Sequence, residues 1–314
     1  LTVDVAIPSF RKPESLIFTL LTLHRHSAAS IGTVWITDDS SDDGTLDVLR
    51  DPALAERLHP WRLDLHETRR RGGSGNTLVT PAMALRLLGP GLAAGHRLRS
   101  AYFLLTRGLF QPQSIRYERA LARSRAEFVL LLHDDVEIRG DVATFMERRM
   151  ETDPRLAIAG PLGQCWRCGL ASGCAPEFIL AGGRPTPDWP VTPPPASLRR
   201  RRRDRACRIN EWCCMIRVAA ARELARDGIH FGNNEDGGDI GAYWFASAIA
   251  RGWRFTDPFR PDGSDPWFLH PWQGHSGRSV WADQGNGRKR YDAAMIRARI
   301  ADEFGFVCRE KPGP

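Results

Sequence analysis

The chain has no apolar run approaching the roughly 20 residues that a membrane-spanning helix needs, so no helical crossing of a bilayer is expected. It shows no basic segment leading into an apolar stretch, so no export signal is expected in these residues. Without such a signal, its seven cysteines, an odd number, are expected to be thiols or metal ligands rather than a disulfide framework. No repeat of fixed period runs along the 314 residues, which excludes a solenoid or a propeller. Acidic residues are too few to balance the bases: Asp+Glu 37 against Lys+Arg 44 leaves a net charge of +7, which favours anionic partners. No aromatic-interleaved basic module accompanies that charge, so nucleic acid is not the expected partner. What is present, 42% hydrophobic and 26% charged residues, is an ordinary globular composition with enough length for one large domain or two fused halves.

The first half alternates strand and helix. Val3 to Ile7 is a short apolar run ending at Pro8, as in a buried parallel strand. Pro13 and Glu14 suit a first helical turn, and Leu16, Ile17, Leu20, Leu21 and Leu23 follow at helical spacing. Thr33 to Thr37 reads as a second strand, closed by acids and the turn-prone Asp43-Gly44, with a helix starting near Thr45. This opening predicts a parallel sheet with right-handed crossovers. Residues 69–99 read as an insertion, with a strand at 101–106 and a helix at 115–124 beyond it. Phe128 to Leu132 is the clearest strand of the chain and runs straight into His133-Asp134-Asp135. Later segments read as a helix over 141–151, a strand over 156–159, a strand over 211–216, and helices over 218–226 and 239–250. The Pro-, Gly- and Arg-rich stretch 182–206 has loop composition.

Two acidic clusters end predicted strands, where open α/β sheets bind ligands. The first is Asp38-Asp39-Ser-Ser-Asp-Asp-Gly-Thr. A carboxylate there can accept an imide N–H of a pyrimidine or a ribose hydroxyl. The same residue types also suit a helix N-cap and a turn. The second is His133-Asp134-Asp135-Val-Glu137. Adjacent carboxylates after an apolar strand need a cation or solvent to neutralise them. Mg²⁺ and Mn²⁺ prefer oxygen ligands and commonly bridge substrate phosphates, whereas an inert solvated exit from the strand is the plain alternative.

Taken in order, Pro8 after the first strand, Asp38-Asp39 after the second and the Asp-rich triplet near position 130 resemble glycosyltransferase family 2. The resemblance continues through Asn234-Glu235-Asp236-Gly-Gly-Asp239 and the following Gly252-Trp253, with one extra glycine inside the acidic segment, and covers about residues 3–277. It implies the GT-A fold, an α/β architecture with a central mixed, mostly parallel sheet. It also implies an inverting transfer of sugar from a nucleotide-diphosphate sugar, UDP-sugar before dTDP-sugar, to a carbohydrate, glycolipid or other glycoconjugate acceptor. In that scheme Pro8, Asp38, Asp39, Asp134 and Asp135 would hold the donor, and Asp135 the divalent ion, Mn²⁺ or Mg²⁺. His133 stands where the family has the first Asp of Asp-X-Asp, which weakens its own claim. Asp236 would be the general base, with Glu235 as the alternative, because an acceptor hydroxyl must lose its proton as the C–O bond forms. His270 or His275 would add an imidazole to the ion.

By that reading residues 1–140 form the nucleotide-binding half, 141–277 the acceptor half and 278–314 a tail. Cys165, Cys168, Cys174 and Cys207 could form a structural Zn²⁺ site, although no second Cys-X2-Cys pair accompanies the first. Cys213 and Cys214 fall in a predicted buried strand, where cysteine packs as a small hydrophobe. The arginines Arg199 to Arg203 and Arg205 read as a solvated loop, a contact for anionic headgroups, or a clamp on donor phosphate. The expected location is the cytoplasm, with peripheral contact at the inner face of a membrane as a further reading. Two rivals remain open. A nucleotidyltransferase would carry a glycine-rich loop after the first strand, and Ser9-Phe-Arg-Lys12 has none. A non-catalytic relic would bind nucleotide or carbohydrate without turnover.

Overall fold

The computed structural model describes residues 3–10, 12–38, 44–67, 116–163, 208–232, 241–260, 262–270 and 292–308. Its strands are β1 Val3–Ser9, β2 Ile31–Asp38, β3 Arg62–Glu67, β4 Phe128–Leu132, β5 Glu137–Ile138, β6 Leu156–Ala159, β7 Leu162–Gly163, β8 Arg208–Ile209, β9 Cys213–Arg217, β10 Arg254–Thr256 and β11 Phe268–Leu269. Its α-helices are α1 Pro13–Ser27, α2 Thr45–Leu49, α3 Pro52–Arg57, α4 Glu118–Arg123, α5 Val142–Glu151, α6 Val218–Arg226, α7 Ala242–Ala250 and α8 Ala293–Phe304.

Seven strands form one sheet in the order β10-β6-β9-β4-β1-β2-β3. β9 runs antiparallel to both β4 and β6, and the other neighbouring pairs are parallel. The mixed, mostly parallel α/β architecture expected from the sequence is therefore present. Alternate residues explain why the central strands read as unbroken apolar runs. Val5, Ile7, Leu130, Leu132 and Met215 enter one core, and Ala6, Val129, Leu131, Cys214 and Ile216 enter the other. Both faces are covered, so each strand needs apolar side chains in both directions. Cys213 and Cys214 are buried free thiols, as small hydrophobes in such a strand would be.

Among the elements that were not expected are β3 and α8. β3 alternates charged and apolar residues, half-buried, at the edge of the sheet beside β2. A polar edge strand of this kind carries little hydrophobic signal and resists pairing with another chain. Within the stretch read as a tail, Asp292 caps α8 by accepting from Met295 N–H at 3.0 Å. Ile296 and Ile300 of α8 are buried, and Phe304 meets Phe18 edge-on at 6.1 Å between centroids. This covering explains why α1 is buried continuously from Ser15 to Leu23 instead of on one stripe. Each large apolar side chain so buried contributes about 1.5–3 kcal/mol.

The crossing from β6 to β9 leaves no room at Gly160. A Cβ there would stand 2.6 Å from Ile209 Cγ2 and 2.7 Å from Cys214 Cβ, both on packed strands. Gly160→Ala is expected to cost about 1–3 kcal/mol through overpacking. At this chain size that lowers the melting temperature by roughly 1.5–5 °C, measurable by calorimetry.

Candidate functional site

The carboxyl ends of β2, β1 and β4 lie side by side, because β1 pairs in parallel with both neighbours. Pro8 sits opposite Thr37 and Ser9 opposite Asp38 at that edge. Asp38 is buried at the end of β2, and Ser9 Oγ is buried with no partner among the described residues. The second motif leaves β4 at the same edge. Two threonines of α1 fix the chain that follows: Val136 N–H donates to Thr19 Oγ1 and Ile138 N–H to Thr22 Oγ1, each at 3.2 Å. They satisfy backbone donors that burial would otherwise leave unpaired.

β5 then pairs antiparallel with β11, Glu137 opposite Leu269. One more residue along that register brings His270 back beside Asp135. Its Nε2 stands 2.6 Å from Asp135 Oδ1. On the other side the β4–β9 pairing extends past Leu132 and Cys213, with His133 N–H donating to Trp212 C=O at 3.1 Å. Trp212 lies nearly parallel to the His270 ring, 5.1 Å away at 16°, and His133 meets His270 edge-on at 5.2 Å. His133 Nδ1 is 4.0 Å from Asp135 Oδ1, and its Nε2 is 3.8 Å from Glu211 Oε1. One ligand atom each from His133, Asp135 and His270 therefore gathers within 4.8 Å.

A lysine engages both carboxylates of the motif. Lys12 Nζ is 2.7 Å from both Asp134 Oδ1 and Asp135 Oδ2, and Phe10 N–H donates to Asp134 Oδ2 at 3.0 Å. Burial works against the ammonium, but the two carboxylates outweigh it and hold the Lys12 pKa above the ordinary lysine value. Burial likewise would raise Asp135, yet Lys12, His270 and His133 hold its carboxyl well below the usual range. Asp134 goes the other way, raised by burial beyond what Lys12 returns. Burial, then the neighbouring His270, pushes His133 well below the ordinary imidazole value, although a quarter of its side chain (26%) remains open to solvent. The site thus presents an ionised Asp135 and a neutral His133, the forms that a divalent ion requires of its ligands.

The donors fit such an ion. One oxygen of Asp135 faces both imidazoles, through His270 Nε2 and His133 Nδ1. Asp135 and His270 of the expected set are thus together. Asp134 is adjacent, but its oxygens are taken by Lys12 and Phe10. Asp39, Glu235, Asp236, His275, Cys165, Cys168, Cys174, Cys207 and Arg199 to Arg205 lie outside the described residues.

Lys12, Trp212 and Glu211 were not anticipated as neighbours of the site. A signal for Lys12 was available. It occupies the N-cap of α1, where the helix dipole repels a cation and no side-chain cap is made. A lysine there implies a strong anionic partner, and the adjacent carboxylates supply it.

No family model matches the chain, and no curated protein does. Solved structures similar to it include the mannosyltransferase PcManGT from Pyrobaculum calidifontis in complex with GDP-Man and Mn²⁺, at 15% identity and TM-score 0.45 over 82% of this chain and 54% of that one. S. aureus TarS 1–349 is similar at 16% identity and TM-score 0.37, over 76% of this chain and 53% of that one. Mouse xyloside xylosyltransferase 1 is similar at 12% identity and TM-score 0.37, over 81% and 84%. The chain spans about half the length of the first two. At identities this low and TM-scores below 0.5, these likenesses carry no residue and no substrate over to this chain.

Proposed function

We propose that this chain is a glycosyltransferase that moves a sugar from a nucleotide-diphosphate sugar to an acceptor hydroxyl with the help of a divalent ion. The observation that carries the reading is the meeting of Asp135 with His270 at the carboxyl edge of the sheet, beside the buried end of β2 that bears Asp38. The sequence motifs that resemble glycosyltransferase family 2 call for a carboxylate and an imidazole at that place, and residues 135 apart in sequence meet there.

Asp38, with Asp39 and the turn after Pro8, binds the nucleoside, UDP before dTDP. Ser9 Oγ adds an unused hydroxyl on the same edge. Asp135 and His270 hold Mn²⁺ or Mg²⁺, which when bound neutralises charge on the departing diphosphate. Lys12 keeps Asp135 ionised and oriented, and Trp212 backs the His270 ring. Asp236 accepts the proton of the acceptor hydroxyl as that oxygen attacks the anomeric carbon, and the opposite-face approach inverts the centre. The acceptor is a carbohydrate, glycolipid or other glycoconjugate. The Arg199–Arg205 run is a contact for an anionic membrane surface at its cytoplasmic face. Among the described residues no helix is long and apolar enough to cross a membrane.

The test is a thermal-shift panel of UDP, dTDP, GDP, CDP and ADP, each with Mn²⁺ or with EDTA. A ligand that binds only the folded chain at 100 times its Kd adds about 2.7 kcal/mol. One pyrimidine diphosphate is expected to raise the melting temperature with Mn²⁺ and not with EDTA. No shift with any nucleotide in folded protein rules the reading out.

A further inference from the structure

We infer that His133 is itself a ligand of the ion, and that the resulting set of one carboxylate oxygen and two imidazoles selects manganese-like ions over magnesium. This rests on the divalent-ion reading above and specifies its chemistry. The accounting of carboxylate oxygens leads to it. Lys12 takes Asp134 Oδ1 and Asp135 Oδ2, and Phe10 N–H takes Asp134 Oδ2. Of the four oxygens in the pair, Asp135 Oδ1 is the one that faces the two imidazoles, 2.6 Å from His270 Nε2 and 4.0 Å from His133 Nδ1. An Asp-X-Asp site offers a hard cation two carboxylates. Here histidine replaces the first, and an ammonium engages the second aspartate on its far oxygen.

His133 is held in the orientation the role needs. Its backbone N–H is tied to Trp212, and its Nε2 faces Glu211 Oε1 at 3.8 Å. That distance is long for a hydrogen bond, yet the carboxylate favours the proton on Nε2 and so leaves the Nδ1 lone pair toward Asp135. The Asp134 and Asp135 carboxylates face the Lys12 ammonium, Glu211 lies beyond His133, and two imidazole rings stand beside Asp135 Oδ1. Mg²⁺ demands oxygen ligands, whereas Mn²⁺, Co²⁺ and Zn²⁺ accept imidazole, with Co²⁺ and Zn²⁺ binding nitrogen sites more tightly than Mn²⁺.

Pulsed electron paramagnetic resonance of the full chain with one equivalent of Mn²⁺ counts coordinated nitrogens directly, without turnover. Two imidazole nitrogens are expected. His133→Asp and His133→Ala should each retain one, and His275→Ala should retain both. Mg²⁺ should need an excess on the order of 100-fold to free the bound Mn²⁺, falling about tenfold in His133→Asp. A single nitrogen in the wild-type protein, or an unchanged count in the His133 variants, overturns the inference and leaves the transferase reading intact. Loss of a nitrogen in His275→Ala overturns it as well. If no Mn²⁺ binds, the inference fails and Lys12 remains the cation of the pair. Two nitrogens from His133 and His270 with no response to any nucleotide would uphold the inference while the transferase reading fails.

Discussion

Asp135→Asn is expected to abolish the Mn²⁺-dependent part of nucleotide binding and to reduce metal affinity by at least about 100-fold. The substitution keeps the shape of the side chain and removes its charge. The oxygen facing His270 and His133 then becomes a neutral amide atom, or an N–H donor turned against the ion. Losing one ligand, or even an outer partner, typically costs 10–100-fold in metal affinity, and this residue is the sole carboxylate in the gathered set. The fold should survive. Lys12 keeps its contact with Asp134, so the cost stays below the roughly 3–5 kcal/mol of a fully orphaned buried charge. Calorimetric titration of Mn²⁺, with circular dichroism as the check on folding, gives the answer. Wild-type Mn²⁺ affinity in the folded variant would remove Asp135 from the ion site.

How far the sequence carried depends on the kind of signal. β4 was legible to the residue because five buried apolar positions run between Glu127 and His133. α6 was legible because its apolar positions follow helical spacing from Val218 to Leu224. β3 was not legible, since at a sheet edge half of its residues are charged and half-exposed, and pairing with β2 rather than burial makes it a strand. α8 was missed because it buries little of itself, chiefly Ile296 and Ile300, and its value lies in what it covers. The site followed the same division. Asp135 and His270 could be named from motif order, but their meeting depends on the two-residue ladder between β5 and β11. Lys12 is 123 residues from Asp135, and nothing local predicts that contact except its misfit at a helix N-cap. His133 looked like a departure from a pattern. Its ring position beside His270 is a product of the β4–β9 pairing, which no motif encodes.

Asp236→Asn is expected to leave donor binding unchanged and to lower turnover by about 10²- to 10⁴-fold, the usual range for a lost general base. At 1.36 kcal/mol per tenfold, that corresponds to roughly 3–5 kcal/mol of barrier. Asparagine keeps the size and much of the hydrogen bonding of aspartate, so an acceptor can still be positioned. It cannot take the hydroxyl proton. The residues on either side of the acidic segment contact the scaffold. Gly232 N–H donates to Glu118 at 2.8 Å, and Glu118 is paired in turn with His230 at 3.1 Å. Gly241 has a φ of +77°, and a Cβ there would meet the Phe231 ring at 2.7 Å, so that ring is seated against bare backbone. Phe231 packs edge-on against Tyr117, whose hydroxyl reaches Glu211 C=O at 3.5 Å, the residue before Trp212 in the wall of the ion site. Both ends of the segment are thus tied to the scaffold that holds His133 and His270. Steady-state kinetics with the donor found by the nucleotide panel separates the roles: kcat falls while the Kd for nucleotide with Mn²⁺ does not. If Asp236→Asn turns over within a few-fold of wild type and Glu235→Gln does not, the proton goes to Glu235 instead.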